Sequence, residues 1–140
     1  MNLVPHTHPA LNGPAQPVPD IRMFERDFER MLKLMRERNA AGIAGPQVGI
    51  PFRFFVSKYP NFEVCVNPAW EPVGNNRTSK PEATLSKPHY NRYVPRFDQI
   101  AAVWTDAKGV QCGRELSGME ARVFQHLCSY LDAKPIWKAA

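Results

Sequence analysis

Between Ile21 and Met35 apolar side chains return every three or four positions, at Ile21, Phe24, Phe28, Met31, Leu32 and Met35. Arg22, Glu25, Arg26, Glu29, Arg30 and Lys33 fill the positions between them, so the stretch predicts an amphipathic helix laid over a sheet. Asp20 stands just before it, with a side chain suited to accept from the first free backbone N–H groups.

From Phe52 the pattern shortens. Phe52–Ser57 and Phe62–Val66 are runs rich in aromatic and β-branched residues separated by the turn chemistry of Lys58–Asn61, which predicts neighbouring strands. Gln99–Thr105 and Val110–Leu116 flank the Asp106–Gly109 turn and predict a hairpin, whereas Pro72–Pro81, rich in Gly, Asn, Ser and Pro, predicts a loop. Five prolines before Asp20, at 5, 9, 14, 17 and 19, make the N-terminal arm extended or turned, lying across the domain surface. The core sheet is expected to be antiparallel or mixed.

A second helix opens at Ser117–Gly118–Met119–Glu120, a capping-box pattern that starts it near Gly118. Met119, Val123, Phe124, Leu127 and Leu131 form its apolar arc, and Pro135 ends the run. Arg122, Gln125, Ser129 and Asp132 fall opposite, which predicts that they face water. His126 and Tyr130, about 40° apart around the helix, share the margin of the buried arc. Two helices around a strand-rich middle make the fold class α+β.

Composition narrows the function classes. With 140 residues, 44% hydrophobic and 22% charged, the chain suits one compact domain over residues 1–140 and is not disordered. No run approaches the ~18 uninterrupted apolar residues of a membrane span, and no basic leader with a long apolar stretch follows Met1, so the expected address is cytoplasmic. Cys65, Cys112 and Cys128 are odd in number and form no C-x-x-C pair, so they read as small core side chains in a reducing compartment. The net charge of +5 favours encounters with polyanions such as nucleic acid or a ribosome. That pull is weak, because acidic residues are interleaved with the basic ones.

Three segments carry candidate chemistry. Ala41–Ile50 is rich in glycines that let backbone approach a ligand and contains Gln47, an amide donor; Glu82–Ala83–Thr84–Leu85–Ser86 is the second, and Gln125–His126–Leu127–Cys128–Ser129–Tyr130 the third. In order and spacing they resemble the signature segments of peptide deformylases, G-φ-A-A-P-Q, E-G-C-L-S and Q-H-E-x-D-H. Pro9–Val18, Asn67–Pro68 and Tyr93–Arg96 extend the resemblance over nearly the whole chain.

The resemblance implies an α+β domain with the C-terminal helix cradled by short strands, a groove for peptide N-termini, and a divalent metal held by the Cys of the second motif and both His of the third. It also implies that the motif Glu moves the proton while the Gln side chain and the Leu N–H stabilise an oxyanion. Gln47 and Leu85 keep the last two positions, and Ala41, Gly42, Gln47, Glu82, Ala83, Leu85 and Val123 are the implied substrate-binding residues. The rest departs from the motif. Thr84 replaces the thiolate ligand, Leu127 the proton carrier, Tyr130 the second imidazole, and Ala83 the motif Gly.

His126 is the surviving ligand position, and Cys128, roughly 200° around the helix from it, cannot join a shared site. His6 and His8 belong to the proline-rich arm and are expected to decorate a turn. No cofactor is therefore expected, and any divalent metal would bind weakly at His126. Arg122 and Val123 stand in the helix turn from which the family partly lines its methionine pocket, so that Arg122 either narrows or charges that pocket or points to water, and Asn91 stands near a position where the family offers an Arg to peptide backbone, implying weaker anchoring.

The leading expectation is a deformylase-like protein disabled for N-formyl-Met peptide hydrolysis, with a retained peptide groove. One alternative is an active family hydrolase or acyl transferase with an atypical site, for which Thr84 beside His126 is the candidate pair and no orienting acid is evident. The other is a non-catalytic module binding peptide N-termini or a protein or ribosomal partner. The sequence leaves oligomeric state open.

Overall fold

The computed structural model describes residues 1–138, so residues 139 and 140 of the expected domain lie outside the described residues. Asp20 accepts from the Arg22 N–H and opens a single 3-10 turn, Ile21–Phe24, which runs into α1, Glu25–Glu37. Phe28, Met31, Leu34 and Met35 form the buried stripe of α1. They pack on Ile43 of β1, Gly42–Ala44, and on Phe54 and Val56 of β2, Phe54–Ser57. The expected helix-on-sheet contact is thus in place.

β2 pairs with β3, Val64–Pro72, which pairs with β6, Gln99–Thr105, and β6 with β7, Gln111–Ser117. The five strands run in the order β1-β2-β3-β6-β7, and every ladder is antiparallel. A separate ribbon joins β4, Arg77–Ala83, to β5, Asn91–Phe97. Most of the stretch expected as a loop is therefore strand, with the turn confined to residues 73–76. Pro81 and Pro95 do not forbid this, because each strand of a two-stranded ribbon has an outward edge whose missing N–H leaves no ladder bond unmade.

The C-terminal helix α2, Gly118–Leu131, runs between the sheet and the ribbon. Gly118 takes φ +58 at the corner from β7, a left-handed conformation that glycine adopts without penalty. Ser117 makes no side-chain cap bond, and Glu120 instead accepts from Asn61, so the expected capping box is not formed. The polar arc is also corrected: Arg122, Gln125 and Ser129 are buried, and Met119, assigned to the apolar arc, is exposed. Protein surrounds the helix on both sides, and the polar side chains are tolerated because they are bonded. Gln125 donates to the Phe97 and Ala121 carbonyls and accepts from the Phe97 N–H, closing a two-way bond with β5.

The N-terminal arm is likewise less superficial than expected. Leu11 is fully buried and Ala10, Ala15 and Val18 nearly so; the Ala15 N–H donates to the Leu131 carbonyl, fixing the arm against the end of α2. His8 accepts from the Ala10 N–H and caps the turn Pro9–Leu11, the decorative role expected of it. Cys65 and Cys128 are buried, and burial pushes both thiols up in pKa, so they act as core side chains. Cys112 is only partly buried. No helix among the described residues is long and apolar enough to cross a membrane.

Candidate functional site

β1, β4 and α2 converge on one cavity of about 530 Å³, a volume typical of small-ligand pockets. Ala41, Gly42 and Gln47 come from one wall, Glu82, Ala83, Thr84 and Leu85 from the other, and Val123, His126, Leu127 and Tyr130 from α2. The structure therefore gathers every sequence-predicted site position into a single pocket. Gly42 is required there: a Cβ would stand 2.5 Å from the Leu127 Cδ1 atom and 2.8 Å from the Val56 carbonyl oxygen. Asn91 lies instead at the exposed start of β5, paired with Ala83.

Gln47 is fixed at both ends of its amide. Its Oε1 accepts from the Ala44 N–H at 2.9 Å, and its Nε2 donates to the Ser86 hydroxyl at 3.1 Å. That second bond ties the two walls together.

At the base of the pocket the altered motif positions bond to one another. The Tyr130 hydroxyl donates to Thr84 Oγ1 at 2.6 Å, and the same phenol oxygen stands 3.1 Å from His126 Nε2. Thr84 Oγ1 also accepts from the Ser86 N–H. On its other side the imidazole reaches Glu82 through Nδ1, 2.6 Å from Oε1. Leu127, at the expected proton-carrier position, is 1% exposed and belongs to the apolar core.

Glu82 is a hub, a role that sequence reasoning missed. Arg96 bonds both of its oxygens, at 2.8 and 3.0 Å, and Arg122 Nη1 reaches Oε2 at 2.6 Å. Arg122 also donates to the carbonyls of Val94 and Thr78, so this side chain, expected in water, instead joins α2 to both strands of the ribbon. Burial alone would raise the Glu82 pKa, but hydrogen bonds and positive charge from His126 and Arg96 outweigh it and lower the value to about 2. The carboxylate is thus ionised and only accepts, so His126 Nδ1 carries a proton and donates to it. The alternative pair Thr84 and His126 does have an orienting acid after all, but the Tyr130 phenol stands between the two.

A depressed carboxylate links folding to pH. Glu82 binds its proton near pH 4.5 when unfolded and near 2 when folded, so its stabilisation is complete above about pH 4.5 and is lost as pH falls toward 2. The Glu82→Gln variant is expected to show a flatter decline of denaturant-measured stability across that window than the parent. An unchanged slope would remove Glu82 from the acid response.

The donor set does not suit a divalent cation. Ligands about 2.1 Å from a tetrahedral ion lie roughly 3.4 Å apart, whereas Thr84 Oγ1 and Tyr130 Oη are 2.6 Å apart and hydrogen-bonded. Burial pushes the Tyr130 phenol far up in pKa, and the bond to Thr84 offsets this only partly, so the phenol keeps its proton. Thr84 and Tyr130 thus bring no negative charge. Among the described residues no group of three or more His, Cys, Asp and Glu side chains is placed to hold a metal.

A family model for polypeptide deformylase matches residues 1–139. Peptide deformylase 1 of Nitrosomonas europaea is 30% identical over 137 residues, covering 89% of this chain and 78% of that relative. The crystal structure of peptide deformylase from Thermotoga maritima is similar with a TM-score of 0.91 at 30% identity, covering 97% of this chain and 94% of that one. That from Thermus thermophilus gives 0.87 at 32% identity, covering 97% and 83%.

Proposed function

Because the chain belongs to the peptide deformylase family, we propose that it is a member which keeps the scaffold and groove but neither holds a catalytic metal nor hydrolyses N-formyl-Met peptides. Its groove then serves to bind peptide N-termini. The observation that carries this reading is the row of Thr84 Oγ1, Tyr130 Oη and His126 Nε2, in which a hydroxyl and a phenol bonded to each other stand beside the imidazole at the positions of the family's ligands. Leu127 supports it further. An apolar side chain on the pocket wall can neither accept nor donate the proton that hydrolysis must move.

What the site can do without a metal is bind. The pocket is open, its apolar lining suits a methionine-like side chain, and Gln47 and the Leu85 backbone remain beside it. The purified protein is expected to contain well under one equivalent of iron, zinc or nickel by elemental analysis and to leave formyl-Met-Ala-Ser intact. Stoichiometric metal together with formate release would overturn the reading.

A second reading rests on the Glu82 to His126 bond, which orients an imidazole as acyl-transfer sites require. It ranks lower because the Thr84 hydroxyl bonds to Tyr130 and not to the imidazole. An acyl adduct trapped on Thr84 by an activated ester would reverse the order.

A further inference from the structure

The charge around the pocket is unevenly balanced. Glu82 is the one carboxylate among its lining residues, and both oxygens are taken by Arg96, Arg122 and His126. Glu82 with its two arginines leaves a net charge of +1 behind the pocket wall. Two further cations line the cavity, Arg38 at the end of α1 and Lys80 on β4. Both are exposed, and among the described residues no ion pair within 4 Å engages either of them.

Their placement is directional. Lys80 is two residues before Glu82 on the same strand, so both side chains leave the same face, about 7 Å apart along β4. Arg38 stands in the other wall, leading into Asn39–Gly42. A chain seated with its first side chain in the apolar part of the pocket leaves between two cations that have no acidic counterpart.

Resting on the binding role proposed above, we infer that Arg38 and Lys80 are specificity-determining residues that select peptides with acidic side chains soon after the terminal residue. Exposed ion pairs are individually modest. Two attractions replaced by two repulsions nevertheless amount to roughly a tenfold difference in affinity at low salt. The preference should shrink at 0.5 M salt, where the screening length falls to roughly 4 Å.

The test uses the full chain and two amidated peptides carrying a C-terminal dye, formyl-Met-Ala-Glu-Glu and formyl-Met-Ala-Lys-Lys, titrated by fluorescence anisotropy. The acidic peptide is expected to bind about tenfold tighter. The double variant Arg38→Glu/Lys80→Glu, altered only at exposed side chains and checked by an unchanged melting curve, should invert the order. Equal affinities, or a preference that survives in the double variant, would overturn the inference. Silence toward both peptides would overturn it together with the binding role, while the metal-free reading would stand or fall separately on metal content and formate release.

Discussion

A chain carrying Thr84→Cys, Leu127→Glu and Tyr130→His together is expected to bind close to one equivalent of divalent metal and to release formate from formyl-Met-Ala-Ser at least 10²–10⁴-fold faster than the parent, the range attached to a positioned proton carrier alone. Three features favour the gain. All three positions already line the same pocket; residues 126 and 130 sit one helical turn apart; and His126 Nδ1 is already held by Glu82, as a ligating imidazole requires. Each single substitution is expected to fail, since none completes three ligands and a proton carrier. The gain has a structural cost. Leu127 is in the apolar core against Gly42, so a Glu there must reach toward the pocket and leave a space behind, and the triple variant should melt several degrees below the parent without metal. Metal binding without turnover would show that the groove, and not only the chemistry, has changed.

How far the sequence carried depends on the range of the interaction. The stripe of α1 and the hairpin of β6 and β7 were legible because their information is local: a 3.6-residue recurrence in one, and strand runs flanking Asp106–Gly109 in the other. The ribbon was not legible in either strand. Residues 77–81 have loop composition, and only their pairing with β5 makes them a strand. The polar arc of α2 failed for a related reason, because periodicity sorts residues by polarity while burial depends on whether a partner lies opposite. Arg122 and Gln125 find theirs on β4 and β5, 28 to 44 residues away in sequence. The altered motif positions were found through the resemblance of three segments to the family's motifs. Their mutual bonding was not, since a Thr and a Tyr separated by 46 residues carry no mark of contact. Glu82 offered one faint signal, an acidic residue between basic strands that contain Arg77, Lys80, Arg92 and Arg96.

Arg122→Ala is expected to destabilise the protein by about 3 kcal/mol, the lower end of the range for removing one partner of a buried ion pair. The lower end applies because Arg96 and His126 would still face Glu82. The loss exceeds that of an exposed arginine because the side chain is 9% exposed and serves three acceptors, the Glu82 carboxylate and the Val94 and Thr78 carbonyls. In a chain of this size the melting temperature should fall by roughly 10 °C. Arg122→Lys is expected to recover little, since an ammonium on a single stem cannot span acceptors that the guanidinium fork meets together. The double variant Glu82→Gln/Arg122→Met distinguishes a pair from two independent contacts: its loss should be smaller than the sum of the single losses by at least about 1 kcal/mol, because removing both charges leaves neither stranded. Additive losses would show that Arg122 stabilises through its carbonyl bonds and packing alone. Glu82 would then be held by Arg96 and His126, and α2 would be joined to the ribbon through backbone contacts instead of through charge.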